Sequence, residues 1–191
     1  RASTRVRDGL EVHAAPIEAW PALVAEIAPD IVVSALGTTL RTAGSEEAFA
    51  AIDHDAVISL ARAAHMAGAR QFMSISSVGA REASRNFYLA VKGKVEREIQ
   101  AVGFQRVDFF RPGLLRGKRS GPFRLGERAA AVISPVTDLL TPKALDHYRS
   151  IAANDVAGAV LANLGNMQNG VFVHHNRDMW QAVAGYAPRS D

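Results

Sequence analysis

With 191 residues and 20.5 kDa, the chain is long enough for one domain with a substantial core and too short for two full enzyme domains. A hydrophobic share of 48% with 21% charged residues excludes a disordered, collagenous or coiled-coil chain. No apolar run reaches the roughly 20 residues of a membrane-spanning helix, and no charged start leading into an apolar stretch marks a signal peptide. The 22 Lys and Arg against 19 Asp and Glu leave a charge of only +3, and the absence of Cys removes disulfides, thiolate nucleophiles and cysteine metal sites.

In chain order, residues 21–27 read as a short helix with Pro21 in its first turn and Pro29 beyond its end. The apolar, β-branched run at 31–35 reads as a buried strand entering the loop Leu36-Gly37-Thr38-Thr39. Ser45 can cap a helix whose first turn carries Glu46 and Glu47, favourable at the positive end of the dipole. The spacing of Phe49, Ile52, Ala56, Leu60, Ala63 and Ala67 predicts one buried stripe, and Gly68 supplies a left-handed stop. A strand over 72–76, a helix over 87–102 stopped by Gly103, and a strand over 107–110 stopped by Arg111-Pro112-Gly113 follow. Beyond lie a Gly/Arg-rich stretch to Gly126, a helix from Glu127, a segment broken by Pro135 and Pro142, a helix capped by Asn154 and a last strand over 171–174.

Long helices alternating with short strands imply right-handed crossovers and a parallel sheet covered on both faces, so the fold class is α/β. One domain is expected over 1–191, with 1–115 as the core and 116–191 as a substrate-side portion. Arg106, Arg111, Arg116, Lys118, Arg119, Arg124 and Arg128 form the one cluster where a phosphate partner could bind, or else a solvated loop. Nucleic-acid binding ranks last among the readings. The histidines lack metal-pair spacing, so no metal site is expected. Cytoplasm is the default compartment.

In an open parallel sheet, ligands bind outside the carboxyl ends of the strands. That places Ala35-Leu36-Gly37-Thr38, Ser76-Ser77-Val78-Gly79 and Arg111-Pro112-Gly113-Leu114 in priority. Tyr88 and Lys92, four apart at the start of the helix after the serine loop, lie on one face. An ammonium near a phenol favours the phenolate and lowers a pKa that is ordinarily about 10, making Tyr88 a usable acid/base. Ser77 could hold a substrate oxygen near that phenol.

Ser77 with Tyr88-xxx-Lys92, the loop from Ala35 to Thr39, Ala43-Gly44-Ser45, Asp53, Lys92-Gly93 with Glu96, and Arg111-Pro112-Gly113-Leu114-Leu115 together resemble an atypical short-chain dehydrogenase/reductase. The likeness is to the Tat-interacting tumour-suppressor oxidoreductase group and its small bacterial NAD(P)H-binding, epimerase-like relatives, over Arg1 to about Gly170. The resemblance implies a Rossmann-type doubly wound parallel sheet that binds NADP(H), with NAD as the alternative cofactor, and a small-molecule substrate. It implies that Tyr88 is the general acid/base and that Lys92 holds the nicotinamide ribose and tunes Tyr88. Ser77 would orient the substrate, and Ala35, Leu36, Gly37, Thr38, Ser76, Pro112, Gly113, Leu114 and Leu115 would line the cofactor. Arg1 would sit where an arginine meets the 2′-phosphate. Asp53 is either a surface carboxylate or, by the same likeness, a residue facing the active-site floor.

The sequence contains no G-x-x-G-x-x-G fingerprint, so the family's first strand, glycine-rich turn and first helix are expected to be missing, and activity is expected of a longer, full-length protein. A homodimer could form through the helices that begin near Ser45 and Phe87, although packing on the sheet explains their apolar stripes equally. The alternative to an oxidoreductase is an NADP(H)-binding regulatory or sensor protein without significant turnover.

Overall fold

The computed structural model describes residues 3–7, 10–116 and 148–186. Two antiparallel strands, β1 (Ser3–Arg7) and β2 (Leu10–Ala14), precede a single 3₁₀ turn and helix α1 (Trp20–Ile27). The central sheet comprises β3 (Ile31–Ser34), β4 (Gln71–Ile75), β5 (Arg106–Phe110) and β8 (Gly170–His174), in that order and all parallel. Two short parallel strands, β6 (Leu115–Arg116) and β7 (Ile151–Ala152), pair with each other.

Helices α2 (Leu40–Ala43), α3 (Glu46–Ala50), α4 (Val57–Met66) and α5 (Phe87–Val102) lie between β3 and β5, and α6 (Ala153–Asn163) and α7 (Asn176–Gly185) flank β8. One face of the sheet presents Phe72, Val107 and Phe109 to Val57, Ile58, Ala61 and Ala64 of α4 and to Val95 and Ile99 of α5. The other presents Met73 and Phe110 to Val156, Ala159 and Val160 of α6 and Met179 of α7. This is the α/β layering expected of the sequence. Phe72, Phe109 and Phe110 are fully buried, each worth about 1.5–3 kcal/mol in area removed from water.

Local chemistry explains the main boundaries. Ser45 Oγ accepts from the Ala48 N–H at 3.1 Å, and Asn86 Oδ1 accepts from the Leu89 N–H at 3.1 Å, capping α3 and α5. Gly103 follows α5 at φ +99°, the left-handed stop the sequence predicts. Asn154 is not a cap, since α6 is already helical at Ala153 and its capping position is Ala152. The hairpin β1–β2 and helices α2 and α7 carry no pattern that the sequence reading distinguished.

The buried stripe of the helix after Ser45 also departs from expectation. A π-turn over Ala51–Ala56 joins α3 to α4. Downstream of it the buried residues are Val57, Ile58, Ala61 and Ala64, and Leu60, Ala63 and Ala67 are not among them. A π-turn inserts one residue into the helical repeat, so the stripe moves one position along the chain. The predicted helix from Glu127 and the breaks at Pro135 and Pro142 fall outside the described residues.

Candidate active site

Because β3, β4 and β5 are adjacent and parallel, the three loops singled out in the sequence leave the same edge of the sheet side by side. Residues 35–38 follow β3, Ser76 and Ser77 follow β4, and Pro112, Gly113 and Leu114 follow β5, with Leu115 opening β6. The Ser76 N–H donates to the Phe110 carbonyl at 2.7 Å and the Val78 N–H to the Pro112 carbonyl at 3.0 Å, so the second and third loops are zipped together. The Gly113 N–H donates to Oδ1 of the buried Asn176 at 3.0 Å, and Asn176 Nδ2 donates to the Arg149 carbonyl at 2.7 Å. Asn176 thereby fastens the third loop to the segment that enters β7.

Tyr88 and Lys92 occupy successive turns at the start of α5. The Lys92 ammonium lies 5.9 Å from the centroid of the Tyr88 ring. Tyr88 is 38% exposed, whereas Lys92 is buried. The buried Phe49 meets the Tyr88 ring edge-on, with centroids 5.9 Å apart, and supports it from below. Gly93, next to Lys92, is required by a crossing of backbones: a Cβ there would stand 2.3 Å from both the Arg81 carbonyl carbon and the Glu82 nitrogen. The segment between Ser77 and Tyr88 therefore lies directly on α5, held also by the Arg97–Glu82 ion pair at 2.9 Å. Ser77 is half-buried, and its hydroxyl donates to the Val78 carbonyl at 3.3 Å, a long bond.

Beneath these groups Lys92 Nζ pairs with Asp53 Oδ1 at 2.8 Å, and Asp53 Oδ2 accepts from the Thr38 N–H at 2.7 Å. Asp53, on the π-turn, is 1% exposed, which decides between its two sequence readings: it is interior. Gly37 packs against this pair, since a Cβ would stand 3.3 Å from Asp53 Oδ1 and 3.7 Å from Lys92 Nζ. Ser34 Oγ, at the end of β3, is buried without a hydrogen-bond partner among the described residues.

One turn beyond Lys92, the buried Glu96 accepts from Ser76 Oγ at 2.5 Å and from Arg111 Nε at 2.9 Å, and also pairs with Arg111 Nη2. The Ser76 hydroxyl is thus committed to the interior, and Glu96 joins the second and third loops. The bonds from Glu96, together with its charge, outweigh burial and raise the Arg111 guanidinium above its ordinary value.

A second polar cluster lies on the opposite face of the sheet. Asp108 accepts from Gln71 Nε2 at 2.8 Å and from Arg106 Nε and Nη2 at 2.7 Å each, and meets His174 Nε2 at 2.8 Å. Burial, the largest influence, pushes the Asp108 carboxyl up, but the bonds from His174, Arg106 and Gln71 with the Arg106 charge hold it below the usual value. Arg106 is therefore an internal partner of Asp108, and the partly buried Arg111 is committed to Glu96, so neither belongs to a free surface cluster, which corrects the sequence reading for these two; Arg116 is exposed. Lys118, Arg119, Arg124 and Arg128 fall outside the described residues, as does Arg1.

Glu96 could have been placed beforehand by its spacing of four from Lys92, which puts both on one helical face. Asn176 had no such signal, because its partner Gly113 lies 63 positions away.

No family model matches the sequence. Over 132 residues, which are 69% of this chain and 53% of the relative, it is 39% identical to Protein FMP52, mitochondrial, of Coccidioides immitis (strain RS). Further curated relatives 41–44% identical carry the same mitochondrial name. The chain spans about half the length of the curated relatives it matches. Among solved structures, it matches UDP-glucose 4-epimerase of Thermus thermophilus in complex with NAD at a TM-score of 0.57 and 20% identity, over 91% of this chain and 68% of that one. It matches RMD of Pseudomonas aeruginosa complexed with NADPH at a TM-score of 0.56 and 18% identity, over 81% of this chain and 63% of that one.

The fold is therefore Rossmann-like, an α/β fold with a parallel sheet of the kind found in these two structures. The cytoplasmic expectation is overturned by the mitochondrial names of the relatives. It rested on missing cysteines and missing spans, and neither feature separates cytoplasm from mitochondrion.

Proposed function

We propose that the protein is an NADP(H)-dependent oxidoreductase of the atypical short-chain dehydrogenase/reductase type, with NAD as the alternative cofactor and a small molecule as substrate. The observation that carries this reading is the pairing of an exposed phenol, Tyr88, with a buried ammonium, Lys92, 5.9 Å from its ring, at the strand edge where the 35–38, 76–77 and 112–114 loops meet. A bound nicotinamide would supply or accept the hydride. Tyr88 would exchange the proton with the substrate oxygen, Ser77 would orient that oxygen, and Lys92 would hold the ribose and bias the phenol toward its charged form.

The residues present suit the nicotinamide end of a dinucleotide. Ser34 keeps an unspent hydroxyl at the end of β3, and Leu114 and Leu115 expose apolar surface beyond Gly113. The described residues contain no glycine-rich turn for the diphosphate. By the names of its relatives, the mitochondrion is the proposed compartment.

A cofactor-binding sensor is the second reading. It is favoured by the ion pair that holds Lys92 on Asp53, and by the Tyr88 hydroxyl having no hydrogen bond among the described residues. A cofactor-consumption screen of the intact protein across aldehydes, ketones, quinones and sugar nucleotides separates the two. Repeated turnover, lowered about 10²–10⁴-fold in Tyr88→Phe with cofactor affinity nearly unchanged, is the expected result. Equal turnover in that variant removes Tyr88 from the chemistry, and no turnover with any class supports the sensor.

A further inference from the structure

We infer that Asp53 is the positioning residue of this site: its carboxylate sets where the Lys92 ammonium rests and how much positive charge reaches the Tyr88 phenol. The inference rests on the proposed roles of Tyr88 and Lys92. An interior carboxylate facing an interior ammonium at 2.8 Å, with Asp53 1% exposed, is not an incidental surface contact.

Three features immobilise the carboxylate. Its other oxygen is held by the Thr38 N–H at 2.7 Å. Its backbone sits in the π-turn over Ala51–Ala56, a local departure frequently found at functional sites. Gly37 lets the 35–38 loop close over the pair with no methyl group between them. The loop expected to line the cofactor is thus bonded to the same carboxylate that holds the lysine.

The other charged groups around Lys92 are already matched. Glu96, one turn along α5, is taken by Arg111 and Ser76, and His54, beside Asp53 on the π-turn, faces Asp55 and Glu98. Asp53 is therefore the anion that balances Lys92. While the pair is closed, the phenol faces an ammonium whose charge is largely cancelled. When Lys92 is drawn away from Asp53, the full charge acts on Tyr88.

The test reads ionisation directly and needs no substrate. In the intact protein, Tyr88 is followed by phenolate absorbance, with Tyr88→Phe subtracted, and Lys92 by the resonance of its side-chain carbon next to nitrogen. Asp53→Asn keeps the size of the side chain and an oxygen for the Thr38 N–H, but removes the charge. In this variant the Lys92 amine is expected to give up its proton more readily than in the native chain, and the Tyr88 phenol to ionise more readily while Lys92 remains charged. Both titrations unchanged would overturn the inference, because a carboxylate serving only as packing would leave them where they were.

Should Asp53→Asn not fold, Lys92→Met reads the same coupling from the other side. The Asp53 carboxyl, followed by its side-chain carbon, is expected to take up a proton more readily than in the native chain, and an unchanged titration would overturn the pairing. Since these measurements involve no turnover, they can fail while the oxidoreductase reading stands, and the Tyr88→Phe kinetics can fail while Asp53 still governs Lys92.

Discussion

Asp53 and Asp108 are both interior carboxylates, 1% and 0% exposed, on opposite faces of one sheet, yet their surroundings differ in kind. Asp108 is saturated: Gln71, Arg106 and His174 all bond it, and Arg106 also stacks over Phe172 at 4.0 Å. Asp53 has one backbone donor and one ammonium, and that ammonium adjoins an exposed phenol at the edge where three loops converge. A saturated carboxylate welds strands together and has nothing left to give. One with a single counter-ion can exchange that partner, which is what a site requires and a weld does not.

The sharpest way to break this contrast is Asp108→Ala. It strands the buried Arg106 and frees Gln71 and His174, so a loss of about 3–5 kcal/mol is expected in denaturant unfolding. A loss below about 1 kcal/mol, the scale of an exposed pair, would show that the cluster is no weld. Acid titration of stability gives a smaller effect with a definite sign. A carboxyl held below its unfolded value contributes stability that is complete above that value and disappears as pH falls through the folded one. Unfolding in the native chain should therefore become easier below about pH 4, and this part of the slope should vanish in Asp108→Ala. The smallest effect on stability is expected from Gly37→Ala, within about 1 kcal/mol, because the added methyl can be met by shifts of a few tenths of an ångström. The same variant should nevertheless displace the Lys92 resonance, since the methyl presses on the Asp53–Lys92 pair; a silent Lys92 would mean that the 35–38 loop does not sense it.

Much of this was legible beforehand. The cap at Ser45 and the glycine stops at Gly68 and Gly103 act over three or four residues, so their chemistry is complete within the local sequence. The placement of Tyr88 and Lys92 on one face likewise follows from helical spacing. The stripe of α4 was misplaced by one residue because the 3.6-residue period was carried through a π-turn, and no residue in Ala51–Ala56 announces that insertion. The Arg106 and Arg111 misreading has a related origin. A run of like charges looks like a surface when its partners, Asp108 on the sheet and Glu96 on α5, are unseen.

Hydrophobic period, caps and turn residues determined that this chain alternates helices and buried strands, and hence that its small-residue loops would gather at one edge of a parallel sheet. Only the tertiary structure decided which charges face one another there. The Asp53–Lys92 pair, the Glu96–Arg111–Ser76 knot and the Asn176 tether join residues 15 to 63 positions apart. Their partners are selected by how helices seat on the sheet, because a buried charge must find its counterpart wherever packing places it.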